Sequence, residues 1–381
     1  MAPITAEEAQ AWGLTVEGEI NNGNPATLNA GLSADGLLDR IFQNFSEELQ
    51  SKIKPADWQG FKSGARESLN ALGFGSRLLD NGGGESMFNL LRVRTEEGRQ
   101  TALFRYVLDD GVNYYVFYLT RDDKGGIVYD DVYVFLTGER ISATVGRLAM
   151  RGIAAQVGLL DRLMGKDKRE ADVLEKIGRM AGLNKQGDYA DVLKLYDELP
   201  KEYQEMKGVV IQRYRAAVNI DLDTFKRVCD DALRLFGNDE SMNLLLIDGL
   251  EVNGQFDKML ACIDALDKSL GGDPYLNTKR TSALLGKGDF AGALALGKTM
   301  VADEITRLDG YSTQLDAYNY LKQYADIPPL LKNALADDIA YDMELLRGEP
   351  AYEGFLASEP YQTYKAELDA QLEAEGSVEE N

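Results

Sequence analysis

Between residues 87 and 136 apolar and polar side chains alternate, whereas most of the remaining chain sets its apolar residues three and four apart. Period two marks half-buried strands, and the longer spacing marks amphipathic helices. Four strands are predicted: Met87 to Thr95, Gln100 to Leu108, Val112 to Thr120 and Ile127 to Leu136. Glu96-Glu-Gly98, Asp109-Asp-Gly111 and Asp122-Asp-Lys-Gly-Gly126 separate them, and such short Gly-containing connections give an antiparallel meander. Helices precede the strands. Thr5 and Glu8 form a capping box for a helix to about Ile20, and Asn21-Asn-Gly-Asn24 stops it before Pro25. Further helices are expected at about 34 to 50 and 55 to 72, the second with Trp58, Phe61 and Leu69 facing inward, and Asp80-Asn-Gly-Gly-Gly84 is a break. After the strands a long helix is expected from Glu139 to Met164, and the basic run Gly165-Lys-Asp-Lys-Arg169 marks a domain boundary.

Beyond about residue 170 the helical pattern repeats itself. Gly187-Asp-Tyr189, Gly254-Gln-Phe256 and Gly288-Asp-Phe290 each place a Gly two residues before an aromatic, the last two at a separation of 34 residues and the first two at 67. One unit is therefore missing between the first two, and Leu222 marks it; the next period lands on Tyr324. Other columns keep the register. Leu183, Ala216, Leu250, Leu284 and Tyr318 stand six residues before the marker, and Val192, Phe225, Met259, Ala293 and Ile327 three after it. Leu199, Ala232, Leu266, Met300 and Ala334 stand ten after it. Each unit reads as two helices meeting at a turn. A pair of this length cannot bury its apolar face alone, so neighbours are expected to stack into a superhelix.

The period and the turn resemble the tetratricopeptide repeat family over residues 171 to 336, with Gly187, Tyr189, Tyr196 and Pro200 matching in the first unit and Gly288, Phe290 and Ala293 in the fourth. The family's early Trp-Leu-Gly signature is missing, the second and fifth units lack the turn Gly, and the terminal Pro is mostly absent. The resemblance implies a concave groove lined by the first helix of each pair. Side chains eight and five residues before the marker would face it: Tyr214, Asp248, Ser282 and Asp316, then Asn184, Glu251 and Asn319. That mixture suits a basic peptide, or is an ordinary solvated face. Over residues 5 to 140, helices followed by a four-stranded sheet are similar to the cone-shaped NTF2-like or cystatin-like α+β fold, whose members include enzymes and pure binding modules.

Composition narrows the chemistry. The 381 residues carry a net charge of -22, which disfavours nucleic acid and anionic membrane surfaces and suits a basic partner or plain solubility. No histidine is present, so imidazole bases and imidazole metal sites are excluded. The two cysteines, Cys229 and Cys262, fall at apolar helix positions and read as buried free thiols. No apolar run reaches the roughly 20 residues that span a bilayer. The first residues carry neither part of a signal peptide, so the chain is expected to be cytoplasmic, or exported and seen without its leader.

One constellation remains. Strand three offers Tyr114, Val116 and Tyr118 on alternate positions, and strand four Tyr129, Asp131, Tyr133 and Phe135. Tyr114, Tyr118, Tyr129, Asp131 and Tyr133 either line a ligand pocket inside the cone or pack beneath the helices as core. Asp130 and Asp131 point to opposite faces and cannot work as an acid/base pair. Asp122-Asp-Lys-Gly-Gly126 lacks the pattern of a calcium loop, and Asp80-Asn-Gly-Gly-Gly84 is not a phosphate loop. The chain is thus expected to hold an NTF2-like α+β domain (1–150), a connecting segment (151–170), about five tetratricopeptide-like pairs (171–336), helical caps (337–372) and a disordered acidic tail (373–381). Its expected role is a non-catalytic scaffold for a protein or peptide, without cofactor or metal. The alternative is small-ligand binding or hydrolysis in the aromatic cone. Oligomeric state is left open by the sequence.

Overall fold

The computed structural model describes residues 2–71, 73–82, 86–108, 111–147 and 168–379, and the chain divides into two compact units, Met1–Leu246 and Ile247–Asn381. Helix α1 (Ala6–Asn21) starts at the expected capping box: the Thr5 hydroxyl accepts from the Glu8 N–H at 3.2 Å, and the Glu8 carboxylate accepts from the Thr5 N–H at 2.9 Å. Helix α2 (Ala26–Ala30) follows the Asn-Gly-Asn turn. The helix expected over 34 to 50 is two, α3 (Ala34–Gln43) and α4 (Glu47–Lys52). Ser46 divides them, because its hydroxyl accepts the Leu49 N–H at 3.3 Å and so caps a new helix. Helix α5 (Pro55–Asn70) buries Trp58 and Leu69, with Phe61 stacked on Trp58 at 5.3 Å. Helix α6 (Phe74–Gly82) was not expected and takes in the start of the supposed break at Asp80; Gly83 and Gly84 lie outside the described residues.

The sheet has five antiparallel strands in the order β1 (Met87–Glu96), β2 (Arg99–Leu108), β3 (Gly111–Arg121), β4 (Ile127–Val134) and β5 (Glu139–Arg140). The fifth strand corrects the four expected. Tyr133 pairs with Arg140 and Val134 with Glu139, so the chain turns back on β4 before helix resumes at residues 141–147. The rest of the helix predicted to Met164, and most of the Gly165–Arg169 boundary, lie outside the described residues. One sheet face packs Phe88, Phe104, Phe117, Leu119, Tyr129 and Val132 against Trp12, Val16 and Ile20 of α1. Trp12 meets Phe104 and Phe117 at 6.3 and 5.9 Å, a tilted aromatic cluster that fills this side of the sheet.

The repeat columns have a direct structural counterpart. Five helix pairs follow in order, the second helix of each starting at its marker or one turn after it. In the first unit they are Lys168–Gln186 with Tyr189–Asp197 and Lys207–Val218 with Leu222–Phe236. Asn243–Val252 carries the chain past the division, and Phe256–Leu270, Leu276–Lys287, Phe290–Met300, Arg307–Tyr320 and Ile327–Ala336 follow. Every residue of the columns three and ten after the marker is buried. The turns are more varied than the columns. Gly187, Gly254 and Gly288 take positive φ, and in the fifth pair Lys322 holds the same place with φ 56. In the second pair Asp221 caps the helix instead, its carboxylate accepting the Thr224 N–H at 2.7 Å, and Leu222 is exposed on the surface.

Within the first unit the sheet touches the repeat helices' chain. Gly138, at φ 63 between β4 and β5, approaches so closely that a Cβ there would stand 2.3 Å from the Ser241 carbonyl oxygen. Within the second, Tyr352, Phe355, Tyr361 and Tyr364, from the segment expected to cap the array, join Tyr311, Leu315, Ile327 and Leu331 in one apolar cluster. The last helix, Glu359–Glu379, continues through most of the segment expected to be disordered from Glu373. Among the described residues no helix is long and apolar enough to cross a membrane.

The turn geometry has a measurable consequence. Lys322→Gly relieves a left-handed backbone and is expected to raise stability by about 0.5–1 kcal/mol, the relief of roughly 1–2 kcal/mol being partly offset by the freer unfolded chain. Gly288→Ala meets no neighbouring atom but must adopt φ 84, and is expected to lose about 1 kcal/mol. Urea unfolding of both variants checks the pair of signs.

Candidate functional site

A β-bulge decides where the aromatic constellation goes. Tyr118 pairs with Asp131 and Leu119 with Tyr129, which leaves Asp130 as an extra residue in β4. Tyr129 therefore falls on the helix-covered face, fully buried, its hydroxyl donating to the Leu28 carbonyl at 2.8 Å. Burial raises its pKa well above the ordinary tyrosine value. Tyr114, Tyr118, Asp131 and Tyr133 share the opposite face. Tyr129 does not belong with them, contrary to simple alternation, because the bulge inverts the pleat between it and Asp131.

On that second face the tyrosines do not converge on Asp131. Its buried carboxylate accepts from the Val132 N–H at 3.0 Å, the Ser142 N–H at 3.1 Å and the Ser142 hydroxyl at 2.6 Å, holding the start of the helix at 141–147 against β4. Burial raises its pKa, and these hydrogen bonds oppose the rise without cancelling it. Tyr118 lies between two guanidinium groups, Arg99 at 4.7 Å and Arg140 at 4.2 Å from the ring centre. Arg140 also donates to the Tyr118 hydroxyl at 3.0 Å and to Glu97 at 3.3 Å, and its hydrogen bond holds the Glu97 pKa below the ordinary range. Asp130, the bulge residue, joins Arg99 to Arg40 of α3. Tyr133 and Tyr114 pack edge-on to Phe135 at 5.1 and 5.7 Å. Burial raises the Tyr133 pKa. The neighbouring carboxylates Asp130 and Asp131 thus serve separate structural contacts.

Of the positions inferred for the repeat helices, Glu251 and Ser282 meet each other, and the rest are held by other residues. Asn184 donates to the Gln212 carbonyl at 2.9 Å and to its side chain at 2.8 Å, and Tyr214 is buried edge-on to Phe225 at 4.9 Å. In the second unit Asp248 and Glu251 both approach Lys279, at 2.9 and 3.6 Å, and Ser282 donates to Glu251. Burial opposes the charge of Lys279, but the two carboxylates outweigh it and raise its pKa. Asp316 accepts from the Tyr352 hydroxyl, and Asn319 donates to the Ala351 carbonyl at 2.9 Å. Desolvation raises the Asp316 pKa.

Five residues of this second cluster were not among the inferred positions: Lys279, Asp309, Ser312, Tyr341 and Tyr352. Ser312 and Tyr341 share a hydroxyl contact of 3.0 Å. Desolvation raises the Asp309 pKa, with Lys279 pulling the other way. Desolvation raises that of Tyr341 as well, aided by the Asp316 and Asp309 charges. The spacing of Asp309, Ser312, Asp316 and Asn319, three, four and three residues, was readable as one helix stripe. Nothing in the sequence gave the tyrosines that close over it. Among the described residues no group of acidic or thiol side chains is arranged to hold a metal ion, and Cys229 and Cys262 are free thiols, the first buried and the second half-buried.

Two variants separate packing from charge on the sheet. Tyr118→Phe keeps both stacked arginines and loses the hydroxyl contacts, at an expected cost of about 1 kcal/mol. Tyr118→Leu also loses the cation–π contacts and is expected to cost about 3 kcal/mol in chemical unfolding. For Asp131, a raised folded pKa means that the native state binds the extra proton, so this carboxyl's contribution is greatest at low pH and declines as pH rises above its ordinary 3.8. The stability difference between wild type and Asp131→Asn is expected to shrink over that rise, as read from unfolding curves at successive pH values.

No protein-family model matches this sequence, and comparison with curated proteins and with solved structures finds no match.

Proposed function

We propose that this chain is a non-catalytic scaffold that holds a basic protein or peptide segment against the first helices of its repeated pairs. One observation carries this reading: the two columns that bury apolar residues in every pair leave the positions eight and five before the marker to side chains that are mostly polar, with Asp248, Glu251, Ser282 and Asp316 still partly open to solvent. The likeness of the period to tetratricopeptide repeats supports it, since that architecture presents such a face to its partners. The absence of histidine from the sequence and the use of Asp130 and Asp131 in structural contacts fit a chain without acid/base chemistry. The small-ligand alternative gains no support from the helix-covered sheet face, where aromatic rings and the bonded Tyr129 hydroxyl occupy the interior.

The test uses the whole chain, because the first compact unit runs from the sheet through the second helix pair. Asp248→Asn with Glu251→Gln removes the acidic charge without setting new lysines beside Lys279. A basic partner retained by the wild type in a pull-down is expected to lose at least nine-tenths of its recovery with the double variant, whose thermal transition falls because Lys279 loses both counter-charges but stays cooperative, which shows the fold is kept. Equal recovery from both proteins rejects these positions as the binding face.

A further inference from the structure

We infer that the outer edge of β1, from Leu91 to Thr95, docks an extended acidic segment of a partner protein as an added strand, on a surface separate from the repeat helices. β1 ends the sheet on one side, so no described strand meets its outward N–H and C=O groups. Helix α1 closes the first part of that edge. The Asn21 amide imitates a strand there, donating to the Phe88 carbonyl at 2.8 Å and accepting the Phe88 N–H at 2.8 Å, and the Glu17 carboxylate accepts the Leu90 N–H. The closure stops at Leu90. Towards its start α1 crosses the sheet, with Trp12 against Phe104 and Phe117 and Glu8 bonded to Arg121 at the end of β3.

The backbone phase beyond Leu90 is fixed from both ends. Glu97 and Gly98 form a two-residue turn at φ 52 and 76, which makes Glu96 and Arg99 the closing hydrogen-bonded pair and turns the N–H and C=O of Thr95 and Val93 outward. From the other end, Phe88 and Leu90 face outward, and the bulge between Leu90 and Arg92 shifts the alternation by one, again to Val93 and Thr95. Among the described residues no group closes these four outward backbone groups. Thr95 is exposed and Val93 half-buried.

The side chains determine what kind of strand fits. Val93 packs against the apolar cluster beneath α1, so Arg92 and Arg94, its neighbours on either side, stand on the opposite face. Burial, and after it the charge of Arg92, push the Arg94 pKa below the ordinary arginine value, with Glu96 at 3.9 Å opposing. An added strand that alternates carboxylates with apolar residues sets the first beside the two guanidinium groups and the second beside Val93. A second copy of the chain does not fit. Every antiparallel pairing of two copies that engages both Val93 and Thr95 sets arginine opposite arginine, and like charges directly opposite are destabilising. Charge on an edge guards against self-association, and here it leaves the edge to a partner of the other sign.

Calorimetric titration of the full chain at low salt tests this with three blocked peptides: acetyl-Thr-Glu-Val-Glu-Val-Thr-amide, the same peptide with Lys in place of Glu, and the acidic peptide N-methylated on its Glu and Val nitrogens. One-to-one binding of the acidic peptide is expected, with slowed amide exchange at Val93 and Thr95. Both control peptides are expected to bind about tenfold more weakly or worse, the first through its charge and the second through its lost main-chain donors. Thr95→Pro removes an outward N–H and leaves the ladder to β2 intact, so it is expected to weaken the acidic peptide about tenfold while unfolding remains cooperative. Should that variant not fold, the control peptides decide on the wild type alone. No binding of the acidic peptide, equal binding of either control or by folded Thr95→Pro, or exchange that slows elsewhere but not at these two amides overturns the site. A dimer of the chain that Thr95→Pro dissociates overturns it too, and gives the edge to a second copy.

Discussion

Burial of two side-chain columns along the helix pairs is the interaction on which most of this structure depends. A short helix pair in water leaves an apolar face uncovered, and no single pair here has enough interior to fold by itself. Val192, Phe225, Met259, Ala293 and Ile327 are all buried, as are Leu199, Ala232, Leu266, Met300 and Ala334, so every pair commits both positions to burial. Sizes vary within each column, from Ala to Phe and Met. Neighbouring side chains compensate, as they must in an interior packed to the density of an organic crystal. Polar residues on the first helices follow from the same constraint: once the apolar positions are committed to stacking, what remains faces solvent or a partner.

The turns between helices show how loosely local chemistry is bound to architecture. Three pairs use Gly in a left-handed turn, one uses Lys322 in the same conformation, and one dispenses with it by capping the helix with Asp221. Turn residues act over a few bonds and cost about 1 kcal/mol when suboptimal, whereas a misplaced core residue costs several. The columns therefore hold a register that the turns do not.

The same difference in reach explains what the sequence disclosed. Periodicities of two, three to four and 34 residues are summed over many positions, and from them came the strands, the helix pairs and the columns. Features resting on one residue were less legible. Ser46 splits a helix by a single hydroxyl, and Glu139–Arg140 is too short to show any alternation. The extra residue at Asp130 reverses every side chain beyond it, so Tyr129 and Asp131 part company although they stand two apart. For the candidate site, the stripe from Asp309 to Asn319 lay within one helix and could be counted off. Tyr341 and Tyr352 reach it from 29 and 36 residues beyond their partners, a distance no local pattern spans.

Gly138 gives the amino-terminal sheet a further significance. Its lack of a side chain lets the turn after β4 lie against the Ser241 carbonyl, and both belong to the same compact unit. The strands leave the ribosome before any helix pair does. The sheet is thus already formed when the segment around Ser241 emerges, and that segment can settle on it during synthesis.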